Sequence, residues 1–214
     1  MPTVGGAADL TAECYLRLRA DVLAGRFPVA TPLLETTLAA RYSVSRTPIR
    51  EALALLEHDG LIERVSRGFR VHAGTPQDVL ELYEARLALE PAAAAAAAGR
   101  RDDLDLAQLT CLQDKAERAD SPQLWRQLHA GWHERLWIAG HNAIIASALN
   151  RMIAQLRIYD HGEPPPSGDY AASNADHARI LEAVRAGDAD RARQLMTEHL
   201  TRSRQDRLAA LTAA

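Results

Sequence analysis

Apolar residues recur at helical spacing along most of this chain and alternate only in one short stretch. Tyr15, Leu18 and Val22 form the stripe of a first helix that stops near Gly25. Leu38-Ala39-Ala40-Arg41-Tyr42 ends a short second helix. Ile49, Ala52, Leu53 and Leu56 recur at i, i+3, i+4 and i+7, which is one buried face of a third. Thr47 is expected as its N-cap and Pro48 as its first helical residue, where a missing N–H costs nothing. Residues 61–65 and 69–71 then read as strands joined by Ser66-Arg67-Gly68, a compact hairpin tip. From Thr75-Pro76 onward the pattern is helical: about 76–98, 104–119, 121–140, 142–159, 173–186 and 188–211. Residues 162–168, with three consecutive prolines, read as a loop.

Three helices followed by a hairpin is the order of a winged helix-turn-helix. The solvent side of the third helix carries Arg46, Thr47, Arg50 and Ala54. Two arginines at an exposed helix N-terminus suit phosphates and guanine edges in a DNA major groove. Arg67 would sit at the wing tip beside Gly68, placed to enter a minor groove or meet a phosphate. Taken alone, the same helix also reads as a core helix with solvated arginines.

A chain of 214 residues is one large domain or two small ones. The natural boundary is His72-Ala73-Gly74-Thr75-Pro76, which gives a DNA-binding domain at 1–74 and a six-helix bundle at 75–214. The composition is 47% hydrophobic but only 5% aromatic, so the fold class expected is mainly α. Net charge is −3, which argues against a general polyanion binder. It hides an asymmetry: residues 1–74 hold nine arginines against eight acids, and 75–214 hold sixteen basic against twenty acidic residues. DNA affinity would come from placed arginines and from dimerisation rather than bulk charge. Cys14 and Cys111 form no C-x-x-C, and neither a signal peptide nor a membrane-length apolar run is visible. A cytoplasmic protein is expected.

The histidines of the bundle form the second constellation. His129 and His133 are i, i+4 on one helix and share a face with Trp125, Trp132 and Leu136. His177 lies in line with Ile180, Leu181 and Val184, and His199 with Ala192, Leu195 and Met196. A lone inward histidine is usually a satisfied core group, but four would each need a polar partner. One divalent metal satisfies all of them, and imidazole suits Zn²⁺, Ni²⁺, Cu²⁺ or Fe²⁺.

Residues from about 10 to 72 resemble the DNA-binding domain of the GntR family of bacterial transcription regulators. The resemblance rests on Leu38-Ala39, the run Val44-Ser45-Arg46-Thr47-Pro48-Ile49-Arg50-Glu51-Ala52-Leu53, Leu56, Gly60-Leu61 and Arg67-Gly68. It implies that Arg46, Thr47, Arg50, Arg67 and Gly68 touch DNA. Two residues depart from the family pattern: Ser43 stands at a usual glycine, and Thr36 where an arginine often contacts phosphate.

Residues 76–212 resemble the FCD domain of the FadR-type branch. Here the matching residues are Arg86-x3-Glu90, Trp132-His133-x2-Leu136, Gly140-His141-Asn142, Asp176-His177-x2-Ile180-Leu181, Gly187-Asp188 and His199-Leu200. Many members hold a metal through one aspartate and three histidines, which map onto His133, His177 and His199. His129 replaces the aspartate. With four neutral imidazoles a divalent site, Zn or Ni, keeps about +2, so an open position would attract an anion more strongly.

Arg86 and Arg157 are candidates to hold a carboxylate of an organic-acid effector. For Arg86 the alternative is a structural i, i+4 pair with Glu90, and for Arg157 a solvated position. The expectation is a homodimeric, ligand-responsive repressor-type regulator reading a pseudo-palindromic operator, and not an enzyme. The competing readings are a metal-dependent enzyme with a four-histidine site, a metal-free regulator whose histidines touch the effector, and an architectural protein. Glu134 and Asp176 adjoin ligand positions but are expected to point elsewhere, which leaves an enzyme without a general base.

Overall fold

The computed structural model describes residues 6–29, 31–159 and 170–213. The chain forms two compact units. The first contains α1 (Gly6–Leu23), α2 (Glu35–Tyr42), α3 (Arg46–His58), β1 (Ile62–Arg64) and β2 (Phe69–Val71). A helical segment beginning at Ile153 clusters with them. The second unit holds α4 (Pro76–Arg100), α5 (Asp103–Glu117), α6 (Pro122–Ala139), α7 (Ala143–Tyr159) as far as Met152, α8 (Tyr170–Ala186) and α9 (Ala189–Ala213). The fold class is thus mainly α, a winged helix followed by a six-helix domain.

In the first unit the predicted stripes form one core. Cys14, Leu18 and Val22 of α1 meet Ile49, Ala52, Leu53 and Leu56 of α3, together with Leu61, Ile62, Phe69 and Val71. Each large side chain fully buried there contributes about 1.5–3 kcal/mol. Tyr42 donates from its hydroxyl to Asp21 Oδ2 at 2.5 Å, which ties α2 to α1. Ala154 and Ile158 fill the same core from α7, and Gln155 donates to the Asp59 carbonyl at 2.7 Å.

The start of α3 differs from expectation. Its N-cap is Ser45, in extended conformation, and Thr47 lies exposed inside the first turn. Pro48 therefore occupies the third helical position. Its missing N–H is still one of the four that a helix leaves unpaired, so the helix starts two residues early without penalty.

Ser43 closes α2 in the left-handed region, at φ 57° and ψ 41°. The hairpin pairs Ile62 with Val71 and Arg64 with Phe69. A feature absent from the sequence pattern is the bridge between Leu33 and Phe69, whose two hydrogen bonds measure 2.6 and 3.1 Å. It forces glycine at 68: φ is 84°, and a Cβ there would lie 2.5 Å from the Leu33 carbonyl oxygen.

The second unit packs Ala94, Ala97 and Ala98 of α4 against Trp132, Leu136, Ile180, Val184, Met196 and Leu200. The alanine run lets neighbouring helices approach closely. Helix α4 continues through Gly99 to Arg100 rather than stopping there, and it carries Pro91 inside. Ser121 caps α6, accepting from the Leu124 N–H, and Asp102 and Asp105 form a capping box on α5. Asn142 and Asp188 accept first-turn N–H groups of α7 and α9. Helix α8 starts at Tyr170, three residues earlier than the pattern suggests. The expected loop at 162–168 lies outside the described residues.

Candidate functional site

The first unit presents Arg46, Thr47 and Arg50 together on the exposed N-terminal turns of α3. The buried face of the same helix locks their orientation. Arg67 is exposed at the hairpin tip, directly before Gly68. Sequence reasoning missed Glu35. Its carboxylate takes two hydrogen bonds from Arg50 and one from Arg46, each 3.2 Å. These cations hold the Glu35 carboxyl below the usual range, Arg50 first, against the opposing effect of burial. The signal available was its place in the first turn of α2.

In the second unit α6, α8 and α9 bring His129, His133, His177 and His199 together. One ring nitrogen from each lies within 4.8 Å of all the others. His133, His177 and His199 are buried, and His129 is half-buried. His133 Nε2 and His177 Nε2 stand 3.1 Å apart. Trp132 stacks on His177 with centroids 3.9 Å apart, and His129 stacks on the same imidazole at 4.5 Å.

Three of the four rings have an outer hydrogen-bond partner. His133 Nδ1 lies 2.8 Å from Glu90 Oε2, and His199 Nδ1 lies 3.2 Å from Asp176 Oδ2. His129 Nε2 lies 3.0 Å from Ser173 Oγ. Asp176 was expected to point away from the cluster. It contacts His199 because one residue along α8 turns the side chain toward α9, where Arg202 also pairs with it.

Burial pushes all four imidazoles below their ordinary pKa, His199 to about 4. They are neutral near pH 7 and offer lone pairs. This donor set fits a divalent cation of borderline softness: four imidazoles, two of them backed by carboxylates.

Of the two arginines considered for an effector, Arg86 lies beside this cluster. It is buried, donates from Nε to Glu90 Oε1 at 2.6 Å, and lies over the Tyr83 ring. The i, i+4 pair with Glu90 is therefore formed. Arg157 is exposed and belongs to the α7 segment that clusters with the winged helix unit. A second acidic group, Asp102, Asp105 and His141, also gathers. Its central carboxylate, Asp105, is already taken by Arg135, by His141 and by the Asp102 N–H, which reads as a structural junction.

Residues 10–71 match the bacterial regulatory proteins of the gntR family, and residues 81–202 match the FCD domain. The chain belongs to the GntR family. An FCD domain covers more than half its length, so it is a transcription regulator rather than an enzyme. The family binds DNA, and its FCD domains bind small-molecule effectors.

The chain is 32% identical over 198 residues to the HTH-type transcriptional regulator YdhC of Bacillus subtilis strain 168, covering 87% of this chain and 86% of that protein. It is 28% identical over 202 residues to the HTH-type transcriptional repressor GlaR of Escherichia coli K12, covering 87% and 90%. The fold is similar to that of E. coli McbR/YncC, with a TM-score of 0.73 at 21% identity, covering 95% of this chain and 97% of that one. Among the described residues no helix is long and apolar enough to cross a membrane.

Proposed function

We propose that this regulator works in the cytoplasm as a homodimeric repressor of a pseudo-palindromic operator, and that a divalent metal in the four-histidine cluster takes a small organic-acid effector. The observation that carries the reading is the convergence of four neutral, inward histidines in the effector-binding domain of a DNA-binding chain. A structural core would not leave four imidazole nitrogens facing one another.

On the DNA side, Arg46 and Arg50 would donate to guanine edges or phosphates in the major groove, with Thr47 beside them. Arg67 would meet the backbone at the wing, and Gly68 lets the hairpin tip close there. Two copies are needed because symmetric half-sites require a two-fold protein. That a relative, GlaR, is named a repressor supports the direction of control.

On the effector side, His133, His177, His199 and His129 would hold the metal, Zn or Ni, which supplies a Lewis-acidic position for a carboxylate. Arg86, already paired with Glu90, would hold the effector's carboxylate only by sharing or leaving that pair. The free cysteines, Cys14 and Cys111, suit a reducing compartment.

The experiment is selection of operator from random duplex DNA, followed by titration with chelator and with small carboxylic acids. An enriched palindrome whose affinity changes with metal and acid supports the whole reading. An enriched palindrome insensitive to metal, with acids still effective, favours histidines that touch the effector directly. Recovery of no palindrome removes the operator part.

A further inference from the structure

Glu90 receives donors from three directions. Arg86 Nε approaches one carboxylate oxygen at 2.6 Å. His133 Nδ1 at 2.8 Å and Trp137 Nε1 at 3.2 Å approach the other. The residue is fully buried and forms an ion pair with the Arg86 guanidinium. Paired with a guanidinium, it is a carboxylate and therefore only accepts hydrogen bonds. Arg86 and Trp137 can only donate. The arrangement leaves one role for His133 Nδ1: it carries the proton. A neutral imidazole protonated at Nδ1 has its lone pair on Nε2, the atom facing His177 Nε2 at 3.1 Å.

The same logic operates on the opposite helix. Asp176 is buried, pairs with Arg202, and lies 3.2 Å from His199 Nδ1. An acceptor at Nδ1 again turns the Nε2 lone pair of His199 inward.

We propose that Glu90 and Asp176 are positioning residues of the histidine cluster, fixing His133 and His199 as the Nδ1–H tautomers whose Nε2 atoms face a bound cation. The inference rests on the metal reading for its purpose, but the tautomers exist without metal. Carboxylates behind ligand histidines orient the ring and raise its basicity. Glu90 also places a negative charge one hydrogen bond from a site that His129 leaves without an anionic ligand.

Glu90→Gln is a sharp probe because glutamine cannot satisfy this site. With its oxygen toward Arg86, its amide NH₂ meets His133 Nδ1. That nitrogen must then become the acceptor, which moves the proton to Nε2, into the cluster. Long-range ¹H–¹⁵N spectra of the metal-free, full-length protein read the tautomer directly, with peaks assigned by single histidine substitutions. The wild type is expected to show Nδ1–H at His133 and His199, and Glu90→Gln to show Nε2–H at His133 alone. Zn²⁺ affinity, measured by chelator competition, is expected to weaken about 10- to 100-fold in Glu90→Gln and in Asp176→Asn. Glu90→Asp, which restores a carboxylate, is expected to recover the Nδ1–H tautomer and part of the affinity.

An Nε2–H tautomer at His133 or His199 in the wild type overturns the proposal, whether or not any variant folds. So does an unchanged His133 tautomer in Glu90→Gln, or equal Zn²⁺ affinity in wild type and Glu90→Gln. A wild type with the expected tautomers that takes up no Zn²⁺ overturns the metal reading and with it the purpose assigned to these carboxylates, while Asp176→Asn and Glu90→Gln still report separately on the tautomers.

Discussion

Glu35 grips Arg50 through two parallel hydrogen bonds of 3.2 Å, and the same carboxylate reaches Arg46. The two arginines expected to read DNA are thus held side by side on α3 by an acid from α2. Such a pair restricts their rotamers and also lowers the positive potential of the surface. Glu35→Ala is expected to raise affinity for random duplex several-fold, while the ratio of operator to random affinity falls. Anisotropy titrations at two salt concentrations measure both, and an unchanged ratio would remove Glu35 from specificity.

Arg50→Ala is expected to weaken operator binding about 5- to 150-fold and to relax one position per half-site. Arg67→Ala should weaken binding to all sequences alike and reduce the slope of log affinity against log salt by about 1. Selection from random sequence with each variant separates the two. If both variants yield the wild-type motif, neither arginine reads a base.

Two backbone positions in the winged helix unit give opposite stability changes. Ser43 sits at φ 57°, a region unfavourable for a side chain, so Ser43→Gly should stabilise by about 0.5–1 kcal/mol. Gly68→Ala should destabilise by about 1–3 kcal/mol, because it meets both a positive φ and the Leu33 carbonyl. Urea unfolding of the two variants checks the signs.

Chelation is expected to lower the melting temperature, since a metal bound across α6, α8 and α9 stabilises only the folded state. His177→Ala should abolish the response to chelator and to added Zn²⁺. His141→Ala loses its contact with Asp105 and some stability, yet should keep that response. The quantity to compare is the metal-dependent shift, not the melting temperature itself. A metal-dependent shift that survives in His177→Ala would place the metal elsewhere.

The metal-free protein should lose stability as pH falls from about 6.5 toward 4. His199 is held near 4 when folded, by burial first, and the other three imidazoles are also lowered. Between the two values the unfolded chain binds more protons than the folded one, so acid favours unfolding. Urea midpoints measured every half pH unit check this. A flat profile over that window would mean that the buried imidazoles are not depressed.

The helices, the winged order and the four histidines were legible in the sequence because each depends on local periodicity or on residues at i, i+4. The stripe of Ile49, Ala52, Leu53 and Leu56 and the shared face of His129 and His133 need no knowledge of partners. Even there, cap position was ambiguous: Ser45-Arg46-Thr47-Pro48 contains two residues able to cap, and the helix starts after the earlier one.

Three other relationships were decided only by tertiary structure. Glu35 lies eleven residues from Arg46, Glu90 forty-three from His133, and Leu33 pairs through its backbone with Phe69. None leaves a periodic trace, because a contact between elements depends on how their faces meet and not on spacing along either one. Asp176 makes the point most simply: its neighbour His177 faces the cluster directly, but only the placement of α9 turns Asp176 from a bystander into the partner of His199.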